Sequence, residues 1–182
     1  MSAPAPGDEI VTGAVAVFNR ARELAAPPEE IWPWLVQLGK RRAGWYLPAT
    51  VERLLPPSRR AQRVIDPRWQ HLEIGEAIPD YGGRDATLEV AILEEPRTLV
   101  YRSERHGALF SWALILEPVS ERRTRVHLRF RGRLRSRGWR LQLIRAAGGF
   151  FDWATSVAML RGLDERVRAA AGADEFPSAD RS

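Results

Sequence analysis

Residues 139–170 read WRLQLIRAAGGFFDWATSVAMLRGLDERVRAA, from Trp139 to Ala170, with no proline. Apolar or small residues recur at Leu141, Ile144, Gly148, Phe151, Thr155, Met159, Leu163 and Val167. Steps of three and four place them on one face of a helix. Arg140, Arg161, Asp164, Glu165, Arg166 and Arg168 fall on the other. A sheet with one apolar face and a long amphipathic helix can each bury the other, and the residues upstream read mostly as such a sheet.

Between Ala14 and Glu23 the pattern alternates, Val15 and Val17 against Ala16 and Phe18, as a strand does. In Ala26–Gly39 two prolines and two acids, Pro27, Pro28, Glu29 and Glu30, precede an apolar run. That is a helix start favoured by the dipole, Gly39 is its stop, and Pro33 inside it predicts a kink. A short helix is expected over Ala49–Leu55, closed by Pro56 and Pro57, with a polar basic connection over Ser58–Arg68. Leu72–Pro79 reads as a strand and Asp80–Gly83 as a turn. Ala86–Leu93, Thr98–Ser103, Ala108–Glu117 and Thr124–Arg133 then follow as four strands with short connections, which makes neighbours antiparallel.

With 182 residues the chain is long enough for one domain with a substantial core and short for two. The expected organisation is a flexible arm over 1–13, a single domain over 14–170 and a flexible tail over 171–182. The absence of cysteine excludes disulfides, thiolate catalysis and cysteine-based metal centres. Met1–Gly13 contains Asp8 and Glu9 and no signal-like apolar core. The longest strongly apolar uncharged stretch, Gly107–Leu116, is far short of the roughly 20 residues of a membrane span. A soluble, cytoplasmic protein is expected. Arginine supplies nearly all of the net charge of +5, Lys40 being the only lysine, a skew that genome base composition explains.

The element order, strand, helix, small helix, five strands and long helix, resembles the helix-grip fold of the Bet v 1/START-like superfamily. That superfamily is also known as SRPBCC or polyketide cyclase/dehydrase-like. Ala26-Pro27-Pro28-Glu29-Glu30-Ile31-Trp32-Pro33-Trp34-Leu35-Val36-Gln37-Leu38-Gly39, followed by Arg42-Ala43-Gly44-Trp45-Tyr46, is similar to the opening motif of many bacterial members. Gly75–Pro79, Leu99–Tyr101 and Met159–Leu163 fall where such members have comparable segments, so the likeness covers roughly 14–170. Members often carry a Ser-Tyr-Asp-like run after Gly-Trp-Tyr, where this chain has Leu47-Pro48-Ala49. The resemblance implies an α+β fold in which a curved antiparallel sheet of six or seven strands wraps a C-terminal helix, with two small helices at one end. It further implies a cavity between sheet and helix for a small, largely apolar or amphipathic molecule. Carriers, sensors and cyclases share this fold, and fold alone does not select a reaction.

No catalytic motif is present. His71, His106 and His127 have no partner at metal-ligand spacing, and no Walker loop, G-x-S-x-G or G-x-G-x-x-G occurs. Neither a metal nor a cofactor is expected. Candidate ligand-binding residues are Trp45, Tyr46, Tyr81, Trp112, Gly148, Asp152, Thr155 and Met159. The aromatic ones combine apolar area with a polar tip, though each is also explained as plain core. Asp152 has no basic residue at helical spacing; it reads either as a hydrogen-bond acceptor or base at the cavity, or as a first-turn acid of a helix that restarts after Gly149. Gly148 and Gly149 fit a bend, a break, close approach of the sheet or room for a ligand. In a cyclase-like enzyme Asp152, Tyr46 or Tyr81 would handle protons.

Residues 123–137 form an arginine ladder: Arg123, Arg125, Arg129, Arg131, Arg133, Arg135 and Arg137 share odd positions with His127, while Val126, Leu128 and Phe130 hold even ones. Alternation with period two puts the apolar set toward the core and the basic set outside. The stripe reads as a solvated face balanced by acids such as Glu89. Alternatively Arg125, Arg129, Arg131 and Arg133 form a surface for an anionic partner, nucleic acid or acidic lipid. A third register, with arginines facing the cavity, would expose Val126, Leu128 and Phe130.

Overall fold

A computed structural model describes residues 4–81, 85–105, 108–133 and 139–174, with 105, 139–153, 173 and 174 described by backbone alone. The elements are β1 (Ala16–Leu24), α1 (Pro28–Val36), α2 (Ala49–Glu52), β2 (Ala77–Pro79), β3 (Thr87–Glu94), β4 (Thr98–Arg105), β5 (Ala108–Ser120), β6 (Arg123–Arg133) and α3 (Trp139–Asp174). All six strands lie in one antiparallel sheet of order β1-β6-β5-β4-β3-β2. The first strand therefore pairs with the last, and α1 and α2 occupy the long connection between the two sheet edges. This is the expected α+β helix-grip architecture.

Two elements are shorter than their sequence pattern. The first is β2, which holds only Ala77–Pro79 of the expected Leu72–Pro79, because Leu72 precedes a turn in which Gly75 adopts φ +88°. The second is α2, a helix of four residues that continues into turns rather than reaching Leu55. Pro33 lies inside α1, which runs through it to Val36. Of the alternatives open at Gly148-Gly149, a helix break is not seen: α3 is one helix of 36 residues. The glycine cost of roughly 1 kcal/mol each is thus absorbed within a continuous helix, and Asp152 lies in its interior rather than in a new first turn.

Strand pairing fixes which residues face α3. Phe18 pairs with Phe130, Arg20 with Leu128 and Arg22 with Val126; Phe130 in turn pairs with Trp112, Leu128 with Leu114 and Val126 with Leu116. Trp112 pairs with Tyr101, and Tyr101 with Val90. This set makes the concave face. Against it pack Met159, Leu160, Leu163 and Val167 of α3, all buried, so the apolar periodicity of the long helix is realised over its C-terminal half.

That half of α3 is covered on a second side as well. Arg166, which helical spacing puts on the solvent face, is 1% exposed. The reason is the loop after α1. A Cβ on Gly162 would stand 2.7 Å from the backbone of Leu47, so the helix and the chain leading into α2 touch directly. Around that contact Arg166 satisfies its donors on Gly162 O, Leu47 O, Gln62 O and the Glu52 carboxylate, the last at 2.6 Å. Glu165, which has Arg161 and Arg168 at helical spacing, accepts the Ala49 N–H at the start of α2 (2.7 Å). Asp164 does pair with Arg168, and also with Arg22 of β1 at 2.6 Å.

Residues 4–13, where sequence gives no periodicity, lie against the convex face of the sheet. Val11 is fully buried, and a Cβ on Gly7 would meet Val100 Cγ1 at 2.6 Å.

Candidate functional site

The concave face carries a connected row of aromatic rings. Tyr81 meets Trp45 edge-on with centroids 6.4 Å apart, Trp45 stacks on Trp112 at 5.4 Å, and Trp112 stacks on Tyr101 at 5.8 Å. Across the β5–β6 pairing the row continues from Trp112 to Phe130, which contacts Phe110 at 5.5 Å and Phe18 at 6.1 Å. Aromatic pairs at these separations hold one another in place. The strands set the spacing: residues two apart on β4, β5 and β6 share this face, and the register puts the three strands' rings side by side.

Burial is uneven along the row. Tyr101 is fully buried, whereas Trp45, Trp112, Phe18, Phe110 and Phe130 are only half-buried. Two polar atoms in the row, the Tyr101 hydroxyl and Trp45 Nε1, are buried without a hydrogen-bond partner among the described residues. Burial raises the Tyr101 pKa; Arg42 opposes that shift, and Glu76 and Tyr46 add to it. The hydroxyl is therefore protonated at neutral pH and is a donor. A buried donor left unpaired is costly, so an acceptor brought to either atom would be favoured.

Of the sequence candidates, Trp45, Tyr81 and Trp112 come together in this row. Tyr46 does not join them. Its ring is fully buried below the row, edge-on to Trp34 at 6.0 Å and under the Arg166 guanidinium at 4.5 Å. The Tyr46 hydroxyl donates to Trp34 O (2.8 Å) and accepts from Gln37 Nε2 (3.0 Å). Burial raises its pKa, with Gln37, Arg166 and Arg42 opposing. Met159 is fully buried and Thr155 half-buried. The surroundings of Gly148 and Asp152 lie outside the described side chains. Sequence reasoning did not single out Tyr101; the alternation Leu99, Tyr101, Ser103 on β4 is the signal that carries it.

Beneath the row is a polar cluster that sequence did not reveal. Arg42 contacts Glu76 at 3.2 Å, donates to Val36 O and Trp69 O, and lies over the Trp69 ring at 4.9 Å. Gln37, fully buried, links Tyr46, Val64 O and the Asp66 N–H. Glu52 receives both Arg166 and Arg63 (2.7 Å). Burial pushes its carboxyl up, and the hydrogen bonds and charges of the two guanidiniums overcome this and hold it below the ordinary value.

The arginine ladder keeps the register with apolar residues inward, and its outer side chains meet acceptors within the chain. Arg125 pairs with Glu23 (2.7 Å), and Glu117 takes His127 at 2.9 Å. Arg129 holds both oxygens of Asp8 (2.6 and 2.7 Å) and Asn19 Oδ1; Arg131 lies 3.5 Å from Asp8 and donates to Val11 O; Arg133 donates to Thr12 O. Glu89, read from sequence as a balancing acid, pairs with Arg102 instead. Burial raises the Asp8 carboxyl, and the Arg129 hydrogen bond, the Ala5 N–H and both arginine charges leave it lowered. The residues that cover the ladder come mainly from the N-terminal segment, which the ladder's own sequence cannot show.

Among the described residues no helix is long and apolar enough to cross a membrane. Comparison with family models and with curated proteins returns no match. Solved structures do match. Norcoclaurine synthase from Thalictrum flavum, a point mutant in complex with a transition-state analogue, aligns at 11% identity and TM-score 0.50, over 88% of this chain and 99% of that one. DynU16, a protein of the dynemicin biosynthetic locus, aligns at 16% identity and TM-score 0.50, over 85% of this chain and 48% of that one. Identities this low speak to architecture and not to activity. Sheet order, the terminal helix and these alignments together give this chain the helix-grip fold of the Bet v 1-like proteins.

Proposed function

We propose that the chain binds one small, largely apolar molecule with aromatic or planar character on the concave face, between the sheet and α3, as a carrier, sensor or cyclase-like protein. The observation that carries this reading is the aromatic row. Five large rings, Phe18, Trp45, Phe110, Trp112 and Phe130, remain half-buried on the face where a sheet covered by a helix buries its core. An apolar ligand would complete their burial, at about 25 cal/mol per Å² removed from water. The unpartnered Tyr101 hydroxyl and Trp45 Nε1 supply donors for a carbonyl or hydroxyl oxygen. For a cyclase-like reaction the row would hold a flexible substrate in a reactive conformation, with Tyr101 and Tyr81 as the phenols at hand.

Native mass spectrometry of the freshly purified protein, before and after incubation with a panel of planar aromatic and aliphatic carbonyl compounds, tests this. A single adduct per chain, reduced in Trp112→Ala, is expected. No uptake of any panel member, or uptake indifferent to Trp112→Ala, would remove the concave face as the site.

A further inference from the structure

The segment 51–65, between α2 and the turn before Asp66, carries an unusual surface. Of the eight large apolar side chains that stand exposed among the described residues, four lie within it: Val51 at 41%, Leu54 at 85%, Val64 at 68% and Ile65 at 40%. Singly exposed apolar residues are ordinary, but a cluster marks an interaction site. The segment is held as one body. Arg60 donates to Leu55 O and Arg53 O, and Arg63 pairs with Glu52, the only carboxylate in the segment. Glu52 itself is buried under Arg166. Arg53, Arg59 and Arg60 are exposed and have no carboxylate partner among the described residues. This contrasts with the ladder on β6, where Arg125 and Arg129 meet carboxylates.

We propose that this segment is a docking surface for an anionic phospholipid bilayer, with Leu54 and Val51 entering the headgroup boundary and Arg53, Arg59 and Arg60 at the phosphates. The combination decides for lipid. Apolar side chains set among uncompensated cations match an interface that is apolar below and negative above. A single-stranded nucleic acid would be met by aromatic stacking groups, of which residues 51–65 contain none, and a duplex bound through its phosphates gives no role to the exposed Leu54 and Val51. Arg60, bonded to Leu55 O and Arg53 O, ties the stretch that carries Leu54 to the one that carries Arg59, so the exposed apolar and basic groups belong to one held segment. The surface is independent of whatever the concave face holds.

The test is flotation of the full chain with vesicles of phosphatidylcholine alone or mixed with phosphatidylglycerol, at low and moderate salt. The native protein is expected on the mixed vesicles and not on the neutral ones. A triple variant, Arg53→Gln, Arg59→Gln and Arg60→Gln, should lower partitioning by roughly 100-fold, about fivefold for each charge. Leu54→Ser should lower it about tenfold by loss of buried apolar area. Ile74→Ser, which alters another well-exposed apolar residue (68%) outside the segment, should leave it unchanged. Thermal unfolding of each variant separates surface effects from misfolding. Absence of native binding to the mixed vesicles overturns the proposal, as does an Ile74→Ser loss equal to that of Leu54→Ser. Binding that ignores Leu54→Ser and is fully competed by heparin overturns it too, because it assigns the arginines to a soluble polyanion.

Discussion

The two halves of the concave side are built on opposite terms. At the closed end, where α1, α2 and the loop between them grip the C-terminal half of α3, large side chains are fully buried and the central charged and hydroxyl groups are paired, while Trp34 Nε1 and Gln62 Oε1 are buried without a partner among the described residues. Arg166 is enclosed by carbonyl oxygens and Glu52, Tyr46 by Trp34 and Gln37, and Gly162 admits the backbone of Leu47. Along the aromatic row the rings of Phe18, Phe110, Phe130, Trp112 and Trp45 are only half-buried, so the halves differ in how far their large side chains are covered. The same sheet and the same helix serve both. The closed end has the properties of a structural lock, whereas the row is the face that the proposed ligand would cover.

Substitutions that break the lock should therefore cost far more stability than substitutions along the row. The largest effect is expected from Arg166→Met. It leaves Glu52 buried with only Arg63 beside it, and losing one partner of a buried pair costs about 3–5 kcal/mol, measurable by urea denaturation. Gly162→Ala comes next. Its Cβ would stand 2.7 Å from backbone atoms of Leu47, which cannot swing aside as a side chain can, and a loss of about 1–3 kcal/mol is expected. Phe110→Ala should cost less than the roughly 3–5 kcal/mol typical of a fully buried phenylalanine, while sharply reducing ligand uptake. A full core penalty at Phe110 would erase the contrast between the halves.

Two smaller effects sharpen the comparison. Glu52 has a folded pKa below its ordinary 4.5. Its contribution is therefore present above the unfolded value and is lost as pH falls through the folded one. Unfolding midpoints should drop on acidification below about pH 4.5, and that dependence should be shallower in Glu52→Gln. Asp8→Asn should cost about 1 kcal/mol by weakening the hold of Arg129 and Arg131 on the N-terminal segment. Faster proteolysis at 4–13 would report it with the concave face unaffected.

The outline of this architecture was legible because its signals are periodic. Alternation in β3 to β6 and the three-and-four spacing of Met159, Leu163 and Val167 depend on neighbours along the chain. The lock was not legible, because its partners are distant in sequence. Arg166 looks like an ordinary surface arginine until the loop at Leu47 is brought onto Gly162. Tyr46 was indistinguishable from Trp45 as a pocket residue; adjacent positions in one extended segment point to opposite sides, and only folding shows that Tyr46 faces Arg166. The arginine ladder misleads in the same way. Its alternation gives the correct outward face, yet the acid that meets Arg129 is Asp8, from a segment with no pattern of its own.

The most direct test of the central claim is an equilibrium titration with the neutral probe N-phenyl-1-naphthylamine, followed by its own fluorescence. Native protein should give one saturable site per chain. Affinity should fall at least tenfold in Trp112→Ala and in Phe130→Ala, and be unchanged in Asp8→Asn. A non-saturating response, or equal affinity in all four proteins, would contradict a ligand site on the aromatic row.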